Sequence, residues 1–220
     1  MSTDAVIAKK IAEQLLQIKA IKLQTDKPFT WASGWKSPIY CDNRISLSYP
    51  KVRTYIRQAL VSEIEKRFGK PELIAAVATA AIAQGALVAE AMGLPFVYVR
   101  PSPKDHGREN QIEGEVRKEQ SVVVIEDLIS TGQSSLKAVH ALREAGCNVK
   151  GMISIFTYGF EQTRRNFEDA QCPFVSLCNY SVLIKHALES DYIKSSEVET
   201  LELWHATPEQ WGKINNHSLE

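Results

Sequence analysis

Cysteine is sparse in this chain, and its four residues, Cys41, Cys147, Cys172 and Cys178, form no CxxC pair and no dense framework. Neither a zinc site nor a disulfide scaffold is indicated, so the cysteines read as reduced thiols. No apolar run reaches the length needed to cross a bilayer. The amino-terminal stretch lacks the basic region, apolar core and small-residue cleavage site of a secretory signal, and the expected compartment is the cytoplasm. Charge of one sign is missing too. With 26 basic and 26 acidic side chains the formal charge is zero, which argues against nucleic acid or a membrane surface recognised through bulk charge. There is no internal repeat and no low-complexity segment.

What is present suits a globular α/β chain. Its 220 residues, 44% apolar and 24% charged, bury a core as one large domain or one domain with a small appendage. Residues 1–220 are read as a single domain. Ala5 to Ala20 places Ile7, Ile11, Leu15 and Ile18 at helical spacing. Phe29 to Pro50 is aromatic and polar without a helical period, and predicts short strands and loops forming a small hood. Ser48 and Pro50 predict a helix start, and Val52, Ile56, Leu60 and Ile64 form its stripe until Gly69 and Pro71 stop it. Further strands are expected at Leu73 to Ala78, Phe96 to Arg100, Val149 to Thr157 and Phe174 to Leu177. Helices are expected at Ala81 to Met92, from about Gln133 to Gly146, and at Glu161 to Ala170, Tyr180 to Glu189 and Ser195 to Trp204. Strands separated by helical segments predict a parallel sheet flanked by helices on both faces.

The stretch that organises the chain is SVVVIEDLISTGQSSL, Ser121 to Leu136. An unbroken β-branched run is what a strand buried on both faces requires. Glu126 and Asp127 then fall at its carboxyl end, where open α/β sheets place ligands. A loop from Leu128 to Ser135, feeding a helix near Gln133, can gather backbone N–H groups and the positive end of a helix dipole around a phosphate. Two carboxylates beside such a nest call for a ligand that also offers ribose hydroxyls or a magnesium ion. The alternative is a buried strand whose Ser130 to Ser135 segment merely caps the next helix.

Pro101 to Gln120 is long and has no apolar period, which suits a functional lid or a surface insertion. Arg100, Lys104, His106 and Arg108 concentrate positive charge there beside Gly107. Such groups fit a diphosphate, or equally an ordinary solvated loop.

EDLISTGQSS closely resembles the signature of type I phosphoribosyltransferases, which use 5-phosphoribosyl 1-diphosphate (PRPP). KDHG at Lys104 to Gly107, ENQIEG after it, and the hood stretch SGWKSPIYCDNRISLSYPKVR resemble the orotate phosphoribosyltransferases within that superfamily. The resemblance implies the type I phosphoribosyltransferase core, a parallel sheet flanked by helices, with a hood mainly from about residues 1–50 and the C-terminal segment. It implies transfer of phosphoribosyl from PRPP to orotate in UMP synthesis, magnesium brought with PRPP rather than held in a protein metal site, and a homodimer whose lid is shared between subunits. By the same resemblance Arg100, Lys104 and His106 embrace diphosphate, with Lys104, His106 and Asp127 catalytic. Glu126 and Asp127 face the ribose hydroxyls. Leu128, Ile129, Ser130, Thr131, Gly132, Gln133 and Ser134 make the phosphate loop, and Ser130 also contacts orotate. Tyr40 and Arg44 are candidates to cover and pair with the base.

The chain departs from the family pattern in four places. Ala32, Pro101 and the Ala80–Ala81 pair stand where many members carry basic residues, and TYGFEQ after Val149 to Thr157 lacks the arginine that usually meets the orotate carboxylate. Arg44 is the candidate substitute, against an ion pair with Asp42. Two other readings stay open: a phosphoribosyltransferase for a different base, and a non-catalytic PRPP sensor, for which a DNA-binding helix and a basic face would be expected.

Overall fold

The computed structural model describes residues 3–31, 34–102 and 111–215. The chain opens with α1 (Ala5–Gln17), capped by the Asp4 side chain, which accepts the Val6 N–H at 2.8 Å. The helix stops short of the expected Ala20, since Lys19 turns left-handed (φ 58°) and the chain enters a strand. Four short strands follow, β1 (Ile21–Leu23), β2 (Phe29–Thr30), β3 (Lys36–Ser37) and β4 (Ile39–Cys41), paired antiparallel as β1 with β4 and β2 with β3. These pairs are the hood.

A 3-10 turn, Asn43–Ser48, leads into α2 (Pro50–Phe68). The expected Ser48 cap is not made. Ser48 closes the 3-10 turn and Tyr49 stands at the helix start without a side-chain bond. Pro50 in the first turn has no N–H to satisfy, so little is lost.

Next come β5 (Leu73–Val77), α3 (Ile82–Met92), β6 (Phe96–Val99) and β7 (Ile112–Glu113), then β8 (Ser121–Ile129), α4 (Gln133–Glu144) and β9 (Asn148–Thr157). The chain ends with α5 (Glu161–Asp169), β10 (Phe174–Asn179), α6 (Tyr180–Glu189), α7 (Ser195–Ala206) and α8 (Pro208–Asn215). The main sheet has the order β10-β9-β8-β5-β6-β7. Its strands run parallel except β7, which pairs antiparallel with β6 through Val99–Ile112 and Tyr98–Glu113. The segment Pro101 to Gln120 is therefore not wholly irregular: its carboxyl part returns to extend the sheet. That edge strand is two residues long, too short to have shown a period.

Alternate residues of the central strands feed two cores. Ile74, Ala76, Val123, Ile125, Ile153 and Leu177 pack with α1, α2, α3 and α6 on one face. Leu73, Ala75, Val122, Val124 and Met152 pack with α4 and with Phe167 of α5 on the other. This is the expected α/β arrangement, and burial on both faces explains why the strands read as continuous apolar runs.

The turn between β8 and α4 depends on Gly132. Its φ is 81°, and a Cβ there would stand 2.5 Å from the Phe167 ring. Gly93, at the end of α3, has a φ of 64° with open space around it. Gly93→Ala carries backbone strain alone, on the order of 1 kcal/mol. Gly132→Ala adds a collision with a packed ring, itself worth about 1 to 3 kcal/mol. Urea unfolding of both variants is expected to show the larger loss for Gly132→Ala, and equal losses would mean that Phe167 moves aside freely.

Candidate active site

β8 outruns its neighbour on one side. The last β5–β8 pair is Ala76 with Ile125, while β9 stays beside β8 as far as Ile129 with Thr157. Leu128 and Ile129, expected to begin the loop, are thus strand residues held by β9, and Glu126 pairs with Ser154 inside the ladder. From Glu126 onward the other edge of β8 has no strand partner. That gap is a cleft of about 290 Å³, whose walls include Thr79, Arg100, Glu126, Asp127, Ser134 and Lys137.

The two carboxyls have different surroundings. Glu126 is buried, and both its oxygens are engaged: Oε1 accepts the Asp127 N–H at 3.0 Å and Oε2 accepts the Ser135 hydroxyl at 2.9 Å. Burial, then the adjacent Asp127 charge, pushes Glu126 well above the usual carboxylate range. Burial also raises Asp127, opposed by its hydrogen bonds with Glu126 and the Leu128 N–H and by the Arg44 charge. Asn43, from the hood side, donates to the Asp127 carbonyl at 2.7 Å.

Beyond Ile129 the loop is braced through its carbonyls. Ile129 O accepts the Thr157 hydroxyl at 3.0 Å, Ser130 O accepts the Thr163 hydroxyl, and Thr131 O accepts Asn166 Nδ2 at 2.8 Å. Gly132 O accepts the Leu136 N–H at 2.9 Å. Among the described residues the N–H groups of Ser130, Thr131 and Gly132 donate to no protein acceptor, and those of Gln133 and Ser134 lie in the first turn of α4, where the helix supplies none. Carbonyls held on one side leave donors for an anion on the other.

Arg100 faces the acid pair across the cleft. Its backbone is fixed by Gln111, which accepts the Arg100 N–H at 2.9 Å and donates Nε2 to the Arg100 carbonyl at 2.7 Å. Its Nη1 lies 3.7 Å from Glu113 and, although buried, makes no hydrogen bond among the described residues. A buried guanidinium N–H without an acceptor is costly unless a ligand supplies one. Lys104 and His106 lie outside the described residues.

In the hood, Tyr40 is 37% exposed and its ring stands 5.6 Å from Phe29. Arg44 holds Asp42 with two bonds, Nε to Oδ1 at 2.7 Å and Nη2 to Oδ2 at 2.9 Å, and lies within electrostatic reach of Asp127 and Tyr40. The ion pair considered for Arg44 therefore exists, on the same side of the fold as the acid pair. A second cleft, of about 540 Å³, opens past Thr131 toward Trp35, Gly159, Phe160 and His205.

Sequence reasoning missed Asn43, Ser135, Lys137, Thr163 and Asn166. Ser135 sits within the motif, at the end of the expected Leu128 to Ser135 loop, but stands in α4 with its hydroxyl on Glu126. Lys137 falls one turn into a helix whose start at Gln133 was expected, so its place on the cleft side was within reach of helical spacing. The other three act across the fold and leave no local pattern.

Residues 47–187 match the family described as Phosphoribosyl transferase domain. The orotate phosphoribosyltransferase of Porphyromonas gingivalis is 56% identical over 206 residues, 94% of this chain and 98% of that one. Among solved structures, orotate phosphoribosyltransferase from Aeropyrum pernix is 25% identical with a TM-score of 0.72, covering 84% of this chain and 99% of that one. Mycobacterium tuberculosis orotate phosphoribosyltransferase in complex with PRPP shares the fold, with a TM-score of 0.63 at 22% identity over 80% of this chain and 98% of that one. With an acid pair set beside a loop of bare N–H groups, and with relatives this similar over almost its whole length, the chain belongs to the orotate phosphoribosyltransferase family.

Proposed function

We propose that this chain transfers the 5-phosphoribosyl group of PRPP to orotate, giving orotidine 5'-monophosphate and diphosphate in the synthesis of UMP. One observation carries the reading at the level of the site. Asp127, at the open edge of β8, stands just before the N–H groups of Ser130, Thr131 and Gly132, which meet no acceptor among the described residues. A ribose phosphate needs such a pairing: an acceptor for its hydroxyls and, a few ångströms away, donors for its phosphate.

Breaking the bond from ribose C1 to diphosphate builds positive charge on the sugar and negative charge on the leaving group. Asp127 is the carboxylate suited to the first, since both oxygens of Glu126 are engaged within the protein. Arg100, whose Nη1 makes no hydrogen bond among the described residues and lies 3.7 Å from Glu113, suits the second. Lys104 and His106 are assigned to the same diphosphate by the resemblance of KDHG to the family's loop. The orotate ring nitrogen is already acidic, so positioning dominates over base catalysis. Closing a lid over the site would exclude water, which would otherwise attack the same carbon.

Magnesium is expected to accompany PRPP. The Asp127 carboxylate is the kind of oxygen ligand a hard cation accepts beside substrate phosphates, and the ion would neutralise charge on the diphosphate when bound. A homodimer with the lid of each subunit over its partner's site, in the cytoplasm, completes the proposal. Among the described residues no helix is long and apolar enough to cross a membrane.

The direct test is orotate consumption with PRPP and magnesium. In the same assay Asp127→Asn is expected to keep the fold and lose most activity, since removing one transition-state contact of this kind costs about 3 kcal/mol. Turnover at the parental rate would remove Asp127 from the mechanism.

If Arg44 meets the orotate carboxylate while holding Asp42, Arg44→Ala raises KM for orotate well above any change for PRPP, by a factor corresponding to roughly 1.5 to 3 kcal/mol. Equal changes in both constants would leave the Asp42 pair as its only role.

The shared lid is tested by complementation. Lys104→Ala and Asp127→Asn chains, each inactive alone, are mixed and allowed to exchange. Each heterodimer then has one site carrying both defects and one carrying neither. Activity should return to about half that of a normal dimer per heterodimer, because a two-fold dimer has two equivalent composite sites. Heterodimers without activity would place the lid over its own subunit's site.

A further inference from the structure

β9 ends at Thr157 and the chain passes almost directly into α5, so the strand that keeps β8 paired to its end also delivers this helix. Three consecutive residues of the loop after β8 each meet a side chain of α5. The Ser130 carbonyl accepts the Thr163 hydroxyl, the Thr131 carbonyl accepts Asn166 Nδ2 at 2.8 Å, and the Phe167 ring lies so close to Gly132 that a Cβ there would stand 2.5 Å from it. Residues 163, 166 and 167 are spaced i, i+3 and i+4, which places them on one face of a helix. The helix thus lays a single stripe along the loop, one residue against one residue.

Each of these contacts is itself held. Thr163 is fully buried, and Phe167 packs on Phe174 with ring centres 4.4 Å apart. Gln162 donates Nε2 to Asn166 Oδ1 at 2.7 Å, which leaves the Asn166 amide nitrogen turned to Thr131. From the β9 side, Ile129 O accepts both the Thr157 hydroxyl at 3.0 Å and the Tyr158 N–H at 3.2 Å. These bonds fix more than the carbonyls. A trans peptide is planar, with its C=O and N–H pointing opposite ways, so a carbonyl turned to β9 or α5 turns the next residue's N–H away from them. Holding the carbonyls of Ile129, Ser130 and Thr131 therefore directs the N–H groups of Ser130, Thr131 and Gly132 outward. Those are the N–H groups that meet no acceptor among the described residues. A plane released from its bond can turn over, and each plane that does so points a carbonyl where an anion needs a donor.

We propose that Thr163 and Asn166 are positioning residues, which hold two peptide planes of the loop so that their N–H groups receive the phosphate of the phosphoribosyl substrate. The inference rests on the phosphate-loop reading above and adds what keeps that loop in its binding shape. Donors already in place receive an anion without reorganising. The loop is ordered when α5 folds and not when the substrate binds.

Ribose 5-phosphate is the probe, titrated by calorimetry in the absence of orotate and diphosphate. Thr163→Val keeps the shape of its side chain and removes the donor, and Asn166→Ala removes the other donor. Each should weaken ribose 5-phosphate about tenfold, as for loss of a hydrogen bond to a charged ligand, and raise KM for PRPP alike, while KM for orotate stays within about twofold. Thr163→Ser retains the hydroxyl and should bind ribose 5-phosphate within about twofold of the unaltered chain, since the donor is what counts. Arg164, paired with Glu161 and Glu168 on the surface of the same helix, supplies the structural control. Arg164→Ala loosens α5 without removing either bond to the loop, so the affinity should hold even where the urea midpoint falls. Should Thr163→Val fail to fold, Asn166→Ala carries the test, because Asn166 is only half-buried and alanine favours a helix. Unchanged affinity in either folded variant, or an equal loss in Arg164→Ala, overturns the proposal. An unaltered chain that binds no ribose 5-phosphate overturns it together with the phosphate loop. One that binds it but converts no orotate overturns the orotate reading alone, and the affinities still decide this proposal.

Discussion

The site depends on a mismatch in strand length. β8 is paired on one edge to its end at Ile129, while on the other edge β5 gives its last partner at Ile125. A strand with one edge uncovered would normally invite further pairing. Here the uncovered edge opens onto the cleft bounded by Thr79, Arg100 and Lys137. Because β9 still holds the far edge, Glu126 and Asp127 sit on rigid backbone and not on a loop. Rigid placement is what electrostatic stabilisation of a transition state needs, since donors and acceptors that must reorganise lose much of their effect.

Much of this was legible in the sequence. The run Val122 to Ile125 could be read as a strand buried on both faces, and the polar stretch with Gly132 as a turn into a helix, because both rest on local periodicity and backbone preference. The end of β8 was not legible. Glu126 and Asp127 interrupt the apolar run, and only the length of β9 keeps Leu128 and Ile129 in the ladder. The braces on the loop were hidden for a related reason: Thr163 and Asn166 come from α5, 33 and 35 residues downstream of the carbonyls they hold. The amphipathic pattern that identifies α5 does not say which of its polar residues will face inward. Ser48 failed as a cap because the 3-10 turn before α2 uses it, and a propensity argument ranks serine without knowing that.

Glu126 and Asp127 are adjacent in sequence and opposite in role. In a strand, neighbouring side chains point to opposite faces. Glu126 points inward to Ser135 and also accepts the N–H of Asp127, so it anchors the start of α4 to β8 and fixes the peptide that carries Asp127. Asn43 takes the carbonyl of Asp127 from the hood side. Both polar groups of Asp127's backbone are thereby tied down, one by the core and one by the hood.

The same division settles how two acidic residues can stand next to an anion nest. If both were ionised, their charge would oppose a phosphate only a few residues along the chain. Burial and the neighbouring charge push Glu126 well up, and burial raises Asp127 as well, there opposed by its hydrogen bonds with Glu126 and the Leu128 N–H and by the Arg44 charge. Each carboxyl therefore carries its charge less readily than an exposed one would, with a guanidinium across the cleft and another in the hood. Arg44 is largely exposed, with 62% of its side chain accessible, so its pair with Asp42 contributes little to stability. Its charge lies within electrostatic reach of Asp127 and opposes the rise that burial gives that carboxyl. The charges of Arg100 and Arg44, and the N–H groups of Ser130, Thr131 and Gly132 that meet no acceptor among the described residues, thus stand around a carboxyl pair whose own charge burial opposes, so the pair does not by itself bar an anion from the loop.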